Sequence, residues 1–285
     1  MKGFLTKASK IILRHPFLYL MRYILLSKNN QGESVDAVGC FNDVNTVLEI
    51  PKVYFDINQQ INLHQETDEL EKAIEIGRFL RKNIPGGAGL GLSSEQTLQK
   101  MLDGKGGVCS DFSQIFNIFC LINQIKVKEW GCIDRFYKTR FGHSFNEIYS
   151  TAKKKWIAID IHKSVIFAGP DNVNPLSALE LFTSLRNGNQ LNFILFSAYI
   201  PIKLERIYSV YSKTTIPFVI SNYKNKVYDY FLNKFKKFPP FMINGLMILL
   251  GKNHDFVFIL DNYKVKLLPK PLRNLNLISF FSFIF

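Results

Sequence analysis

Gly104-Lys105-Gly106-Gly107-Val108-Cys109-Ser110-Asp111-Phe112 opens the segment whose reading decides the fold. The glycine-rich turn leads into residues 110–122, where Ile115, Phe116, Ile118, Phe119 and Ile122 recur at helical spacing. Cys109 therefore sits at the N-terminus of a predicted helix. There the backbone dipole and unpaired N–H groups favour a thiolate, the nucleophilic form of cysteine. The same N–H groups suit an oxyanion formed later in a reaction.

Two further stretches, Gly142-His143-Ser144-Phe145-Asn146-Glu147 and Trp156-Ile157-Ala158-Ile159-Asp160, alternate apolar and polar residues across a polar turn at 150–155. They predict a hairpin with His143 opposite Asp160, Ile148 facing Lys155, Tyr149 facing Lys154 and about four residues in the loop. Directly opposite Cβ atoms lie roughly 4.5–5.5 Å apart, so the carboxylate would accept an Nδ1–H bond from the imidazole. The other ring nitrogen would face the thiol. Cys109, His143 and Asp160 thus read as a nucleophile, its base and the base's orienter. With a strand around 126–133, the region predicts an α+β core in which the cysteine helix packs on an antiparallel sheet.

The order Cys, then Gly-His-x-x-x-Glu, then Trp-x-x-x-Asp, with the cysteine opening a helix after a glycine-rich turn, resembles the transglutaminase-like superfamily. The resemblance runs from about residue 66 to residue 167. It implies a papain-like core, with Cys109 as nucleophile, His143 as general base and Asp160 as orienting acid. That family commonly follows its Asp with a short turn containing Thr or Pro, whereas this chain has Ile161-His162-Lys163. The difference leaves the three residues intact and puts the substrate-side loop in question. No motif marks a side-chain oxyanion donor; Gln96, Gln99 and Trp130 are the candidates.

Each of the three residues also has a plainer reading. A cysteine before an apolar helix is more often packing than chemistry, and a lone strand histidine is usually a satisfied bystander. Their order, and a hairpin register that brings His143 and Asp160 into contact, favour the chemical reading. Cys120, within the apolar helix, and Cys132, in a strand, read as packing. His162 is a minor alternative base, sharing a strand face with Asp160 but lacking the Gly-His context.

At 285 residues, 47% hydrophobic and 14% aromatic with 26 Phe, the chain has ample material for a core and is not of disordered composition. Its four cysteines, at 40, 109, 120 and 132, form no CxxC pair, which suggests a reducing compartment and no zinc site. Neither a cofactor nor a metal is expected. The formal net charge of +13 is unevenly spread. Residues 1–28 carry six basic side chains and no acid, and residues 201–285 carry thirteen against four, which leaves 29–200 near −2. Flanks in which Lys and Arg mix with aromatic residues suit an anionic membrane leaflet better than nucleic acid; an ordinary solvated basic face is the plain alternative. No nucleic-acid motif, P-loop or dinucleotide fingerprint is present. Gly86-Gly87-Ala88-Gly89-Leu90-Gly91 lacks a Lys-Ser/Thr ending and reads as a flexible connection.

Three regions follow. Residues 1–34 form a basic amphipathic N-terminal segment without an uninterrupted apolar run of the roughly 20 residues that span a bilayer. Residues 35–170 form the transglutaminase-like catalytic core, with one or two short strands, or a strand and a loop, in 35–62, a helix over 67–83 capped by Thr67 and ended by Pro85, and a second helix over 95–102 capped by Ser93 or Ser94. Residues 171–285 form a basic, Phe-rich, mostly helical C-terminal region. Helices are expected over 175–187, 223–238 and 241–250, a strand or helix over 193–211, and a tail, 277–285, with four Phe.

The sequence thus predicts a cysteine-dependent acyl-transfer enzyme acting on peptide or protein amides. Hydrolysis is favoured, with transamidation or a non-catalytic binding module as alternatives. The expected location is cytoplasmic, with peripheral contact at the inner face of a membrane.

Overall fold

In the computed structural model, residues 24–29, 35–61, 63, 68–134, 142–171, 174–197 and 203–263 are described. The expected N-terminal segment and the Phe-rich tail lie largely or wholly outside them. Eight strands, β1 (Ser27–Asn29), β2 (Val127–Ile133), β3 (Gly142–Ser150), β4 (Lys155–Asp160), β5 (Val165–Ala168), β6 (Asn192–Leu195), β7 (Ile216–Ser221) and β8 (Asp255–Phe258), make one sheet in the order β1-β8-β7-β2-β3-β4-β5-β6. Every neighbouring pair is antiparallel except β1 with β8. The fold is α+β, with a mixed sheet. Three of its strands come from beyond residue 170, so the sheet runs continuously from the core into the C-terminal region.

Side chains alternate between the two faces of the sheet, and each face has its own cover. Ile148, Ile157 and Ile159 pack with α1 (Phe41–Val44), α2 (Lys52–Asn58), α3 (Glu69–Asn83), α4 (Ser94–Leu102) and α5 (Cys109–Ile122). Trp130, Cys132, Phe145, Ala158 and Phe167 pack on the other face with α6 (Ala178–Arg186) and α7 (Leu204–Lys213). Two more helices, α8 (Asn225–Lys234) and α9 (Pro240–Leu249), add Tyr228, Ile243 and Met247 to the first core. No described helix is long and apolar enough to cross a membrane.

Several local expectations are corrected. Residues 35–61 contain short helices and 3₁₀ turns at Val35–Ala37 and Val47–Glu49, with no strand. Here Phe41, Tyr54 and Ile57 are buried against the cysteine helix side, so a helical stripe, not alternation, carries the burial. Helix α3 is capped by Asp68, whose carboxylate accepts the Glu71 backbone N–H at 2.8 Å; Thr67 lies outside the described residues. At the start of α4, the Ser93 side chain makes no capping bond. The Ser94 N–H, at 2.6 Å, and the Ser94 hydroxyl both donate to Asp229 of α8 instead. A carboxylate from 135 residues away thus supplies the helix cap.

The β3–β4 hairpin forms in a register shifted by two from the expected one. Ser150 pairs with Lys155, Tyr149 with Trp156, Ile148 with Ile157 and Asn146 with Ile159. The loop keeps four residues but starts one position later. Lys154 takes a left-handed φ of 51°, the Ser150 hydroxyl accepts the Lys153 N–H, and Glu69 accepts both the N–H and the hydroxyl of Thr151. These bonds, invisible in the alternation pattern, set where the chain turns. A shift of two keeps each side chain on its face, so His143 and Asp160 remain on a common side.

Candidate active site

Helix α5 begins at Cys109, with Val108 as its extended N-cap. Asp111 accepts the Val108 N–H at 2.9 Å and the Leu90 N–H at 3.3 Å, fixing the first turn of the helix to the preceding loop. That loop, read from sequence as a flexible connection, is bonded to the cysteine turn. Gly87 N–H donates to the Gly107 carbonyl at 2.7 Å, and Gly107 N–H to the Ala88 carbonyl at 2.8 Å. The close approach explains the glycines: a Cβ on Gly106 would meet the Ala88 oxygen at 2.7 Å, and Gly107 has φ 118°.

His143 stands on β3 directly opposite Cys132 of β2, and its Nε2 lies 2.6 Å from Asp160 Oδ2. The bonding nitrogen is therefore Nε2, where the sequence reading expected Nδ1; Nδ1 is left for the thiol. Both side chains are enclosed, at 5% and 0% exposure. Burial opposes charge on each, but mutual attraction and the bond between them win. The His143 pKa is held well above its ordinary range and that of Asp160 well below. Lys163 N–H donates to Asp160 Oδ1 at 2.9 Å, and the Tyr211 hydroxyl donates to Oδ2 at 2.8 Å.

The thiol of Cys109 lies beside the His143 side chain and the Ser144 backbone, and both favour its ionised form. Burial pushes its pKa up, but these neighbours and the imidazolium charge outweigh burial and bring it below the ordinary thiol value. The structure therefore brings Cys109, His143 and Asp160 together as a thiol, an imidazole and a carboxylate in one group. Such a group can hold a thiolate–imidazolium pair, whose sulfur attacks electrophilic carbon and whose ring carries a transferable proton.

Cys120, Cys132 and His162 do not join this group. Cys120 is fully buried, and burial pushes the Cys132 thiol up to about 12. Cys132 donates to the His143 carbonyl at 3.6 Å and accepts from the Thr214 hydroxyl at 3.1 Å, helping to anchor β3. His162 packs its ring 5.4 Å from Phe112 and 6.0 Å from His143; burial lowers its pKa to about 4, and its buried Nδ1 has no partner. His143 alone of the two bonds Asp160. Of the oxyanion candidates, Trp130 is fully buried and its indole N–H donates to Glu147 at 2.9 Å, while Gln99 is exposed and Gln96 half-buried on α4. The helix N–H groups remain the donors nearest the sulfur by sequence.

The sequence model of the transglutaminase-like superfamily matches residues 56–161. Over those residues the chain is similar to the transglutaminase-like superfamily. The match covers rather more than a third of the chain and includes Cys109, His143 and Asp160. No curated protein and no solved structure matches the chain significantly. The superfamily typically contains cysteine-dependent enzymes.

One residue of the site lies outside the transglutaminase-like core and was missed by sequence reasoning. Tyr211 sits on α7, 51 residues beyond Asp160, and no motif surrounds it. Its only sequence signal is the spacing of Ile207 and Tyr211, the two buried positions of that helix.

Proposed function

We propose that the transglutaminase-like core catalyses cysteine-dependent acyl transfer on amide bonds, with water as the acyl acceptor and Cys109, His143 and Asp160 as the reacting group and its two supports. The observation that carries this reading is the Asp160 carboxylate 2.6 Å from His143 Nε2, with the Cys109 thiol beside the same ring at the start of α5.

In this reading the Cys109 thiolate attacks the amide carbonyl, and the N–H groups of the first helical turn receive the developing oxyanion. His143, protonated and held so by Asp160, gives its proton to the leaving amine as the C–N bond breaks. A thioester on Cys109 remains. His143, now neutral, takes a proton from water as the hydroxide equivalent attacks the thioester, and the acid leaves with the thiolate restored. An amine in place of water would give transamidation by the same steps.

Incubation with p-nitrophenyl acetate tests the first half of the cycle without a known substrate. The expected result is release of p-nitrophenol and an acetyl group on Cys109 by mass spectrometry, absent in Cys109→Ala and His143→Gln. Added methylamine should leave acetate as the main product. Predominant N-methylacetamide would replace hydrolysis by transamidation, and absence of acetyl from Cys109 would leave a non-catalytic binding module.

A further inference from the structure

The Tyr211 hydroxyl of helix α7 reaches into the transglutaminase-like core and donates to Asp160 Oδ2 at 2.8 Å. That oxygen also holds His143 Nε2, at 2.6 Å, while Oδ1 takes the Lys163 N–H. Three donors from three separate places therefore define the plane of the carboxylate. Tyr211 is itself fixed. It is fully buried, its ring stands edge-on to His143 at 5.6 Å and 83°, and it packs against Phe167 at 4.7 Å and Phe145 at 5.7 Å.

Packing alone does not account for a phenol here. Among Phe145, Phe167 and Phe182, a buried hydroxyl is a cost unless bonded, and a phenylalanine would fill the same space. Among the described residues, the hydroxyl is bonded to Asp160 alone. We infer that Tyr211 is a positioning residue for the Cys109–His143–Asp160 centre: its O–H holds the Asp160 carboxylate ionised and aimed at His143 Nε2, so that α7, from outside the transglutaminase-like core, completes the site. This rests on the function proposed above.

The groups facing Asp160 are His143 from β3, Cys132 from β2, Cys109 from α5, Arg81 from α3, His162 and Lys163 from the turn after β4, and Tyr211 from α7. A bond to the ionised form of a carboxylate favours that form. Without the Tyr211 O–H, Asp160 takes a proton more readily as pH falls, the imidazolium loses its counter-charge, and the thiolate of Cys109 is lost at a higher pH.

The test is the pH profile of Cys109 alkylation by iodoacetamide, followed by mass spectrometry of the Cys109 peptide in the full chain. Tyr211→Phe keeps the ring and should move the acid limb up by about half to one pH unit. Acetylation by p-nitrophenyl acetate should slow about tenfold in kcat with KM little changed. Tyr208→Phe, exposed on the same helix, should change neither. Incorporation of 3-fluorotyrosine at 211, a stronger donor of nearly the same shape, should move the limb down, and this decides the matter if Tyr211→Phe does not fold. An acid limb that superimposes on that of the unaltered protein in these variants, while the unaltered protein alkylates rapidly at pH 6, would overturn the role of Tyr211 alone. Slow alkylation of the unaltered protein would overturn the proposed function and this role with it.

Discussion

His143 and Asp160 are not cross-strand partners, yet His143 Nε2 lies 2.6 Å from Asp160 Oδ2. The ladder between β3 and β4 pairs Asn146 with Ile159, which sets Asp160 level with Phe145, two residues from His143 on the same face. Diagonal neighbours on an antiparallel pair are within reach of long side chains. The imidazole spans the diagonal through its distal nitrogen, which is why Nε2 meets the carboxylate and Nδ1 is left on the thiol side.

Asp160→Asn should leave a folded protein with a much slower acylation step. The amide cannot stabilise an imidazolium by charge and presents an NH₂ group to a nitrogen that must donate. A loss of roughly 10²–10⁴ in kcat is expected, the upper end matching what the same change does in serine-protease triads. Acetylation kinetics with p-nitrophenyl acetate, alongside circular dichroism, check it; a loss below tenfold would remove Asp160 from the working group.

The same pair makes stability depend on pH. The folded-state pKa of His143 is raised, so its contribution is complete below the ordinary 6.5 and is lost as pH rises through the folded value. Asp160 is depressed, so its contribution is complete above the ordinary 3.8 and is lost as pH falls through the folded value. Both descriptions concern one interaction, complete between about pH 4 and 6.5. Thermal melts should show the unaltered protein losing more stability between pH 5 and pH 9 than His143→Gln does. Parallel curves for the two proteins would contradict the assignment.

Gly106→Ala tests the bonded glycine loops. The new Cβ would lie 2.7 Å from the Ala88 carbonyl oxygen, a backbone atom, at a φ of 154°. About 1–3 kcal/mol of destabilisation is expected, with slower acetylation of Cys109 because the 86–91 loop would be displaced from the helix start. A melting temperature and rate equal to those of the unaltered protein would show that the loop approach is dispensable.

Trp130→Phe separates structure from chemistry. Its indole N–H donates to the buried carboxylate of Glu147, which also accepts the Ala178 N–H at 2.7 Å and so ties β3 to the start of α6. Loss of one donor to a buried carboxylate should cost about 1–3 kcal/mol in chemical unfolding. The acetylation rate per folded molecule should stay within about threefold. A large fall in kcat with stability unchanged would restore Trp130 as an oxyanion donor.

Much of this was legible because local signals and tertiary structure agree. The glycine turn, the apolar spacing after Cys109 and the alternation around His143 and Asp160 each report an element that the fold keeps. The grouping of His143 with Asp160 follows from the hairpin even with its register displaced, since a slip of two preserves faces. What was not legible depends on partners distant in sequence. Glu69 on Thr151 shifts the turn, Asp229 caps the helix at Ser94, Gly107 holds the 86–91 loop, and Tyr211 reaches Asp160 across 51 residues. None of these bonds leaves a period or motif behind. The 35–61 region failed for a different reason: its buried Phe41, Tyr54 and Ile57 belong to helices too short to show a clear periodicity.

The most direct measurement is the rate at which iodoacetamide alkylates Cys109 at pH 6. A thiol of pKa about 8.5 is roughly 0.3% thiolate there, and Cys40, Cys120 and Cys132 are buried. A Cys109 thiolate paired with the His143 imidazolium should react at least about tenfold faster than a free thiol, even though a less basic thiolate is intrinsically less nucleophilic. His143→Gln should abolish the excess. Alkylation of Cys109 no faster than a free thiol, or an excess that survives His143→Gln, would contradict the thiolate–imidazolium pair on which the account stands.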